Sequence, residues 1–391
     1  MRALLAAAVV VSFSANAGAA DPPPLAEKYL HSSKLNDGEE ALAAVLQHHP
    51  KDDQARFGLG MVQFTNALQK FGQKLYTHGV QPNEVMGVPF VRIPVPENKS
   101  PTPISYPAFR KMFDDLYHDF DKAERTLAAV SDDKVKLPVH LGKVRFDFDG
   151  SGRGNDKFTD VLVKLMGGSP EFLKRDPSFL VCFDRGDVAW LRGYCHLLMA
   201  MIDGFLSVDL HDLYVAELHK QFAKADDLPA KKINSGDIKG VRFAAPERLG
   251  KLRQHMLMVC KLNHETWKHI RAETDDDHEW LPHAKQKGVI GLPVTNELID
   301  GWLAAVREVE DLLEGRVLIP GFFLPNAEGK GLSLKAMLDD PPTEFEFERL
   351  FNKGPRAKYL AAGKHTDFGA ILRVAEMFRN TLSFAYAAWF N

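Results

Sequence analysis

The sequence predicts a mainly α-helical fold, an irregular helical bundle with a few short strands. Long segments carry apolar residues three and four positions apart, which is the repeat of one helix face. Only two short stretches, "HLGKVRFDF" and "SFLVCF", alternate as strands do. The 391 residues are 45% hydrophobic, enough for a substantial core. The formal charge of −3 provides no basic surface, so no nucleic-acid partner is expected.

The first twenty residues predict export. Arg2 is followed by an apolar run from Ala3 to Phe13 that is too short to span a bilayer, and small residues stand at cleavage spacing in "SANAGAAD". We therefore expect a signal peptide over 1–20 and a periplasmic or extracellular mature chain without a transmembrane segment. An N-terminal anchor helix is the alternative.

The three cysteines cannot all pair with one another within the chain. Cys195 and Cys260 stand in apolar helical contexts, where a free thiol behaves as a small hydrophobe. Burial as free thiols is expected, rather than a disulfide framework.

Three helices follow from the apolar pattern. One contains "FRKMFDDLYHDFDKAERTLAAV", with its apolar face at Phe109, Met112, Phe113, Leu116, Phe120, Ala123 and Leu127. A second extends from Asp187 to Asp209 and is apolar almost all round, so it should lie in the core. A third begins at the capping residue Thr295 and ends at Gly315.

The organisation is a helical region over 21–78 followed by a helical body over 79–391. Within the body, 79–107 is proline-rich and should cross the surface in extended form, because prolines exclude a regular helix. Its Val85, Val88, Phe90, Val91 and Ile93 need apolar cover. Residues 226–240 read as an exposed connection, and 321–359 as an irregular region before a final helix.

The start of the chain has small and apolar residues at a recurrent spacing. These are Ala26, Tyr29, Gly38, Leu42, Val45 and Pro50, followed by Ala55, Leu59 and Gly60. The region 25–78 resembles a tetratricopeptide repeat over about a seventh of the chain. The resemblance implies a protein-binding scaffold, with a partner bound through this helical region. The pattern departs from the repeat at Gly72, where one long helix continues. Any antiparallel helix pair with small contact residues is the alternative.

The stretch "DFDGSGRGND" places oxygen-bearing side chains at the spacing of a calcium loop. The candidate ligands are Asp147, Asp149, Ser151 and Asn155, with Gly152 at the sharp turn. The segment 147–158 therefore resembles a degenerate dockerin or EF-hand loop, and calcium is the cofactor that it implies. Position twelve is Phe158 instead of a carboxylate, so Asp156 or Asp160 would have to substitute. A plain strand-turn-helix connection is the alternative.

A polar stripe follows the apolar helix. Arg192, His196, Asp203 and Ser207 are spaced by four, seven and four residues, which places them on one side together with Met199. A histidine between an arginine and an aspartate could act as a general acid or base. The alternative is a satisfied structural network, because buried charges must be paired.

The segment "NHETWKHIRAETDDDHEWLPH" is rich in histidine but does not match the zinc-protease helix. His269 follows His264 by five residues, whereas two ligands on one helix face require four. Cys260 and His264 stand one helical turn apart, which leaves a metal site as an alternative to a solvated charge run.

Together these features predict an exported helical protein of the binding or scaffold class, with calcium ordering the loop at Asp147. The alternative is a secreted hydrolase with a pocket around Arg192, His196 and Asp203, with or without a metal. No nucleophile elbow, phosphate loop or dinucleotide fingerprint is present in the sequence.

Overall fold

The computed structural model describes residues 23–81, 93–166, 173–174, 176–229, 233–238, 240–321, 329–346, 356–367, 369 and 389–390. The fold is mainly α-helical, with short strands in small sheets, as the sequence predicts. The predicted signal peptide lies outside the described residues. So do 82–92 of the proline-rich segment, with Val85, Val88, Phe90 and Val91, and most of the predicted final helix.

The helices are α1 (Leu25–Ser32), α2 (Leu35–His48), α3 (Asp53–Thr77), α4 (Tyr106–Ala128), α5 (Phe158–Met166), α6 (Arg185–Ser207), α7 (His211–Ala216), α8 (Glu247–Ile270), α9 (Asn296–Glu314) and α10 (Leu334–Asp339). The strands are β1 (Leu137–His140), β2 (Arg145–Phe146), β3 (Asp156–Lys157), β4 (Leu180–Phe183), β5 (Val208–Asp209), β6 (Gly240–Phe243), β7 (Ile319–Pro320), β8 (Gly331–Leu332), β9 (Glu344–Glu346) and β10 (Leu360–Ala361).

The core is assembled around α6. This helix packs against α8 and α4, and α4 packs in turn against α3. Helices α1 and α2 contact α3, while α9 and α10 contact α8. A second apolar cluster joins Trp267 of α8 and Ile299 of α9 to Phe390 near the C-terminus. In the part of the chain that is described, no helix has the length and apolar content needed to cross a bilayer.

The ends and faces of α4 and α9 follow the sequence pattern. All seven apolar residues predicted for the inner face of α4 are buried. The Ser105 hydroxyl accepts the N–H of Ala108 at 3.3 Å and caps α4, and Pro107 occupies its first turn. Thr295 caps α9 by accepting the N–H of Leu298 at 3.2 Å, and Gly315 ends it with a φ of 75°.

The strands form small antiparallel sheets. β1 pairs with β4 through Leu137 and Phe183, and β2 pairs with β3 through Arg145 and Lys157, so both predicted strand regions contain strands. The expectation that there would be no others is wrong. Two three-stranded sheets, β5-β6-β9 and β10-β8-β7, are also present. Their strands have two to four residues each, too few to show an alternating pattern in the sequence.

The N-terminal helices pack through small residues, as the repeat-like spacing requires. A Cβ on Gly38 would lie 2.7 Å from the Cβ of Tyr29, and one on Gly58 would lie 2.8 Å from the Cβ of Ala26. These contacts do not confirm a tetratricopeptide repeat. Helix α1 has only 8 residues, and α3 runs unbroken for 25 residues through Gly72. The missing side chain of Gly72 makes room for the Phe148 ring, because a Cβ there would lie 2.3 Å from it. The resemblance stays a prediction.

The cysteines agree with expectation, and the described part of the proline-rich segment contacts the core. Cys182, Cys195 and Cys260 are free and buried. After residue 92, Ile93 and Val95 pack against the apolar core, and Ile104 bridges to Ala225.

Candidate functional site

The predicted polar stripe of α6 faces partners on α4 and α8. Arg192 donates from Nε and Nη2 to Glu124 Oε1 of α4, at 3.0 and 2.9 Å. His196 Nε2 lies 3.4 Å from the same oxygen, and His196 Nδ1 lies 2.8 Å from Nδ1 of His255 on α8. Ser207 Oγ donates to the carbonyl of Gly204 at 2.7 Å. Through Arg192 and His196, the stripe joins α6 to α4 and α8.

Asp203 is fully buried, with no exposed surface. Arg248 of α8 donates to it at 2.9 Å and to Asp114 of α4 at 2.5 Å. His255 Nε2 lies 3.0 Å from the Tyr117 hydroxyl and 3.7 Å from Asp203. Arg192, His196 and Asp203 thus contact complementary groups. They do not converge on one point: Arg192 and His196 meet Glu124, while Asp203 meets Arg248.

Burial dominates the ionisation of this network. It lowers the pKa of His255 to about 4, and the neighbouring His196 adds to the effect. Burial also raises the pKa of Asp203, because it outweighs the Arg248 contact. For Glu124, burial raises the pKa, but hydrogen bonds and charges from His196 and Arg192 together hold it below its ordinary value. His255 is therefore neutral at pH 7 and acts as a hydrogen-bonding link between helices.

The loop at Asp147 is held by hydrogen bonds from its own backbone N–H groups to its aspartate side chains. Asp147 Oδ2 accepts the N–H of Gly152 at 2.9 Å, and Asp149 Oδ1 accepts the N–H of Ser151 at 3.0 Å. Gly152 has a φ of 77°, which requires glycine at the turn. Asp156 Oδ2 accepts the N–H of Phe148 at 3.1 Å, which places this carboxylate across the hairpin from Asp147.

Asn155 and Ser151 are exposed, and Phe158, at position twelve, lines an apolar cavity. Hydrogen bonds from Ser151 hold the pKa of Asp149 below its usual value, while burial raises that of Asp156. Asp147, Asp149, Ser151 and Asp156 could hold calcium, and its binding stays a prediction.

The histidine-rich segment is dispersed. His264 lies 3.8 Å from Glu310 of α9, and Cys260 is buried in an apolar cluster with Val306 and Leu313. Asp275 and Asp277 form ion pairs with Lys136, which directly precedes β1, so part of the acidic run is paired with a cation. Cys182, Asp277 and His278 bring potential metal-binding atoms within 4.8 Å of one another, a combination that the sequence did not indicate.

An apolar cavity of about 130 Å³ lies between α1, α3, α6 and the β2-β3 hairpin. Its walls are largely aromatic, including Phe57, Phe64, Phe183, Trp190 and Trp280. Ring contacts connect four of them, with centroids 6.4 Å apart for Phe57 and Phe183, 6.2 Å for Phe183 and Trp280, and 5.5 Å for Trp190 and Trp280. No apolar pattern in the sequence indicates that these rings leave a space between them.

Asp187 brings a carboxyl group to the wall of this cavity. It is 3% exposed, and its Oδ2 accepts the N–H of Asp184 at 3.0 Å in the capping box that begins α6. Its Oδ1 has no hydrogen-bond partner among the described residues, and neither has Trp280 Nε1. Thr65, another polar residue of the wall, donates its hydroxyl to the Met61 carbonyl at 2.8 Å.

Three further carboxyl groups gather beside Asp187. Oxygens of Asp184, Glu273 and Glu279 lie within 4.8 Å of one another. Burial raises the pKa of Glu273 to about 9 and that of Glu279 to about 7, with Asp184 adding to both, and it raises that of Asp187 well above its ordinary value. An all-oxygen set of this kind could hold a hard divalent cation. The sequence could not indicate this cluster, because Glu273 is far from Asp184 along the chain.

Comparison of the chain with protein-family models, with curated proteins and with solved structures finds no match. Function is therefore inferred from the geometry of this chain alone.

Proposed function

We propose that the protein binds a small, largely apolar molecule in the aromatic cavity between α1, α3 and α6. The observation that carries the proposal is the cavity itself, a space of about 130 Å³ whose lining includes seven aromatic residues and the buried Asp187. Well-packed cores leave few spaces larger than a water molecule, so a space of this size calls for an occupant.

The cavity volume limits the size of that occupant. An apolar cavity of about 150 Å³ takes benzene, and drug-sized ligands need roughly 300 Å³ or more. A molecule with a single six-membered ring fits the volume. The unpartnered Asp187 and Trp280 atoms would orient it by hydrogen bonds, since buried polar atoms gain most from a partner.

The proposal belongs to the binding class that the sequence favours, with a small molecule in place of a protein partner. Leu30 of α1 and Phe57 and Met61 of α3 line the cavity, so the repeat-like helices contribute to recognition. Binding is favoured over hydrolysis because His196 and Asp203 are buried against complementary groups. With the predicted signal peptide, the proposed setting is outside the cytosol.

The test is thermal unfolding of the mature chain with benzene or cyclohexane, followed by tryptophan fluorescence because Trp190 and Trp280 border the cavity. A ligand that binds only the native state raises the melting temperature, and saturation at 100 times Kd contributes about 2.7 kcal/mol. We expect a shift of a few degrees with both probes.

A matched pair of variants locates the effect. Val144→Phe adds a ring at a buried cavity wall and should remove the shift, whereas Val309→Phe makes the same change in the α8-α9 cluster and should preserve it. The proposal fails if neither probe shifts the wild-type transition, or if Val144→Phe leaves the shift unchanged.

A further inference from the structure

The aromatic cavity has a strongly acidic end. Asp187 is 3% exposed and lines the cavity, with Oδ1 unpartnered within the described chain. Asp184, Glu273 and Glu279 bring their oxygens within 4.8 Å of one another beside it. Four carboxyl groups therefore surround the start of α6.

Two hydrogen-bond donors and two cations lie near these carboxyl groups, but both cations are shared with other acidic side chains. Gln286 Nε2 donates to Glu273 at 3.1 Å, and the N–H of Asp277 donates to Glu279 at 2.8 Å. Lys136 is engaged by Asp275 and Asp277. The guanidinium of Arg185 lies 3.8 Å from Asp133, so it also serves another carboxylate. The end of the cavity is thus crowded with carboxyl groups that hinder one another's ionisation, and a bound cation would favour their ionised form.

The walls suit a cation as well as an apolar group. Phe57, Phe183, Trp280 and Trp190 form a continuous series of ring contacts around the space. Aromatic faces attract ammonium groups, by about 2 kcal/mol or more where water is excluded. Aromatic rings beside a buried carboxylate are the surroundings in which organic ammonium ions are bound in proteins.

We infer that the ligand of this cavity is a small organic amine, bound as its ammonium ion with Asp187 as counter-ion. The inference rests on the proposed function, which requires only that the cavity be occupied. Removing an ammonium ion from water is costly, and an ion pair with Asp187, the nearby carboxylates and the ring faces would have to offset that cost. Its carbon skeleton would fill the apolar remainder of the cavity.

The test compares four molecules of nearly equal size by isothermal titration calorimetry: cyclohexylamine, cyclohexanol, cyclohexanone and cyclohexane. We expect cyclohexylamine to bind at least tenfold more tightly than cyclohexanol, which corresponds to about 1.4 kcal/mol. Asp187→Asn retains the acceptor for the Asp184 N–H and should remove the preference while cyclohexane still binds.

A second variant covers the case in which Asp187→Asn does not fold. Glu273→Gln removes one carboxyl group that does not line the cavity and whose ionised form a bound ammonium ion would favour, so it should reduce the preference for the amine by several-fold without changing the affinity for cyclohexane. Glu265→Gln, at a half-buried position of α8 whose partner is Lys261, should change neither affinity.

The outcomes separate this inference from the proposed function. Cyclohexane binding without a preference for the amine would overturn the inference and leave the function standing. Tighter binding of cyclohexanone would overturn it too, because a protonated Asp187 would then act as donor. Displacement of cyclohexylamine by calcium, magnesium or manganese would assign the carboxylates to a metal and contradict the inference. Failure of all four molecules to bind would contradict both.

Discussion

Two buried aspartates on α6 have opposite surroundings. Asp203, near the end of the helix, is fully buried and accepts a hydrogen bond from Arg248 at 2.9 Å. Asp187, in the first turn, is nearly as buried, but its neighbours are the carboxyl groups of Asp184, Glu273 and Glu279. Each of the two aspartates has one oxygen without a hydrogen-bond partner in the described chain. The first group joins helices α4, α6 and α8. The second borders a cavity, and the difference indicates which end of α6 receives a ligand.

The largest expected effect on stability is at the Asp203 end of α6. Arg248→Met leaves the Asp203 carboxyl buried without its cation, and we expect a loss of about 3–5 kcal/mol in the free energy of unfolding. Urea denaturation measures it. Arg316→Met removes a cation from an exposed cluster on Glu310 and Asp311, and should destabilise the protein much less. Equal losses for the two variants would show that the buried network is not structural.

The next effect is a pH dependence at the same end. The folded pKa of His255 is lowered to about 4 from 6.5, so its stabilising contribution is full above pH 6.5 and is lost as pH falls through 4. The groups that face it are Tyr117, Asp203, His196, Glu124 and Lys251. The shift amounts to roughly 3 kcal/mol between these limits.

Replacing His255 tests this dependence. His255→Gln should flatten the decline in unfolding free energy between pH 6.5 and 4, measured by denaturation at a series of pH values. His118→Gln alters a largely exposed histidine of α4 and should retain the wild-type profile. The same decline in both variants would assign the acid sensitivity to other groups.

For Asp187, at the start of α6, the expected pH dependence of stability has the opposite sign to that of His255. The folded pKa of Asp187 is raised, so its contribution to stability is present below its unfolded pKa and is lost as pH rises. Asp187→Asn replaces a carboxyl group whose ionisation is opposed by burial. It should therefore stabilise the ligand-free protein at pH 8, by about 1–2 kcal/mol, with little change at pH 4. Asp300→Asn, at an exposed ion pair with Arg271, is the control. Clear destabilisation by Asp187→Asn would mean that Asp187 Oδ1 also has a structural partner, in addition to the one that Oδ2 has in the capping box.

The smallest expected effect concerns the loop at Asp147. Without a carboxylate at position twelve, calcium should bind with a Kd near 1 mM, so that 10 mM calcium adds about 1.4 kcal/mol to the free energy of unfolding. Differential scanning calorimetry with calcium and with chelator measures the shift, and Asp147→Asn should abolish it. A shift that persists in Asp147→Asn would place the calcium elsewhere, with the cluster at Asp184 as the first alternative.

The sequence predicted the features that depend on local pattern. The spacing of Phe109 to Leu127 identified the buried face of α4, and Thr295 and Gly315 identified the ends of α9, because periodicity and caps act within one helix. The stripe of Arg192, His196 and Asp203 was also visible. Its partners were not, because Glu124 and Arg248 belong to other helices.

The cavity and the acidic cluster could not be predicted from local patterns in the sequence. Both form where distant segments meet, as when Glu273 and Glu279 come to lie beside Asp184. A cavity is the space that close-packed side chains fail to fill, which no spacing of apolar residues records. The capping box of Asp184 and Asp187 was the one local signal at this end, and it predicts a helix start rather than a ligand.

The most direct test of the contrast between the two ends of α6 is a crystal structure of the protein with cyclohexylamine. The proposed ligand site predicts density for the ring between Phe57, Phe183 and Trp280, with the ammonium nitrogen about 2.8 Å from Asp187 Oδ1. An empty or water-filled cavity, or an amine bound beside Asp203 instead, would contradict it.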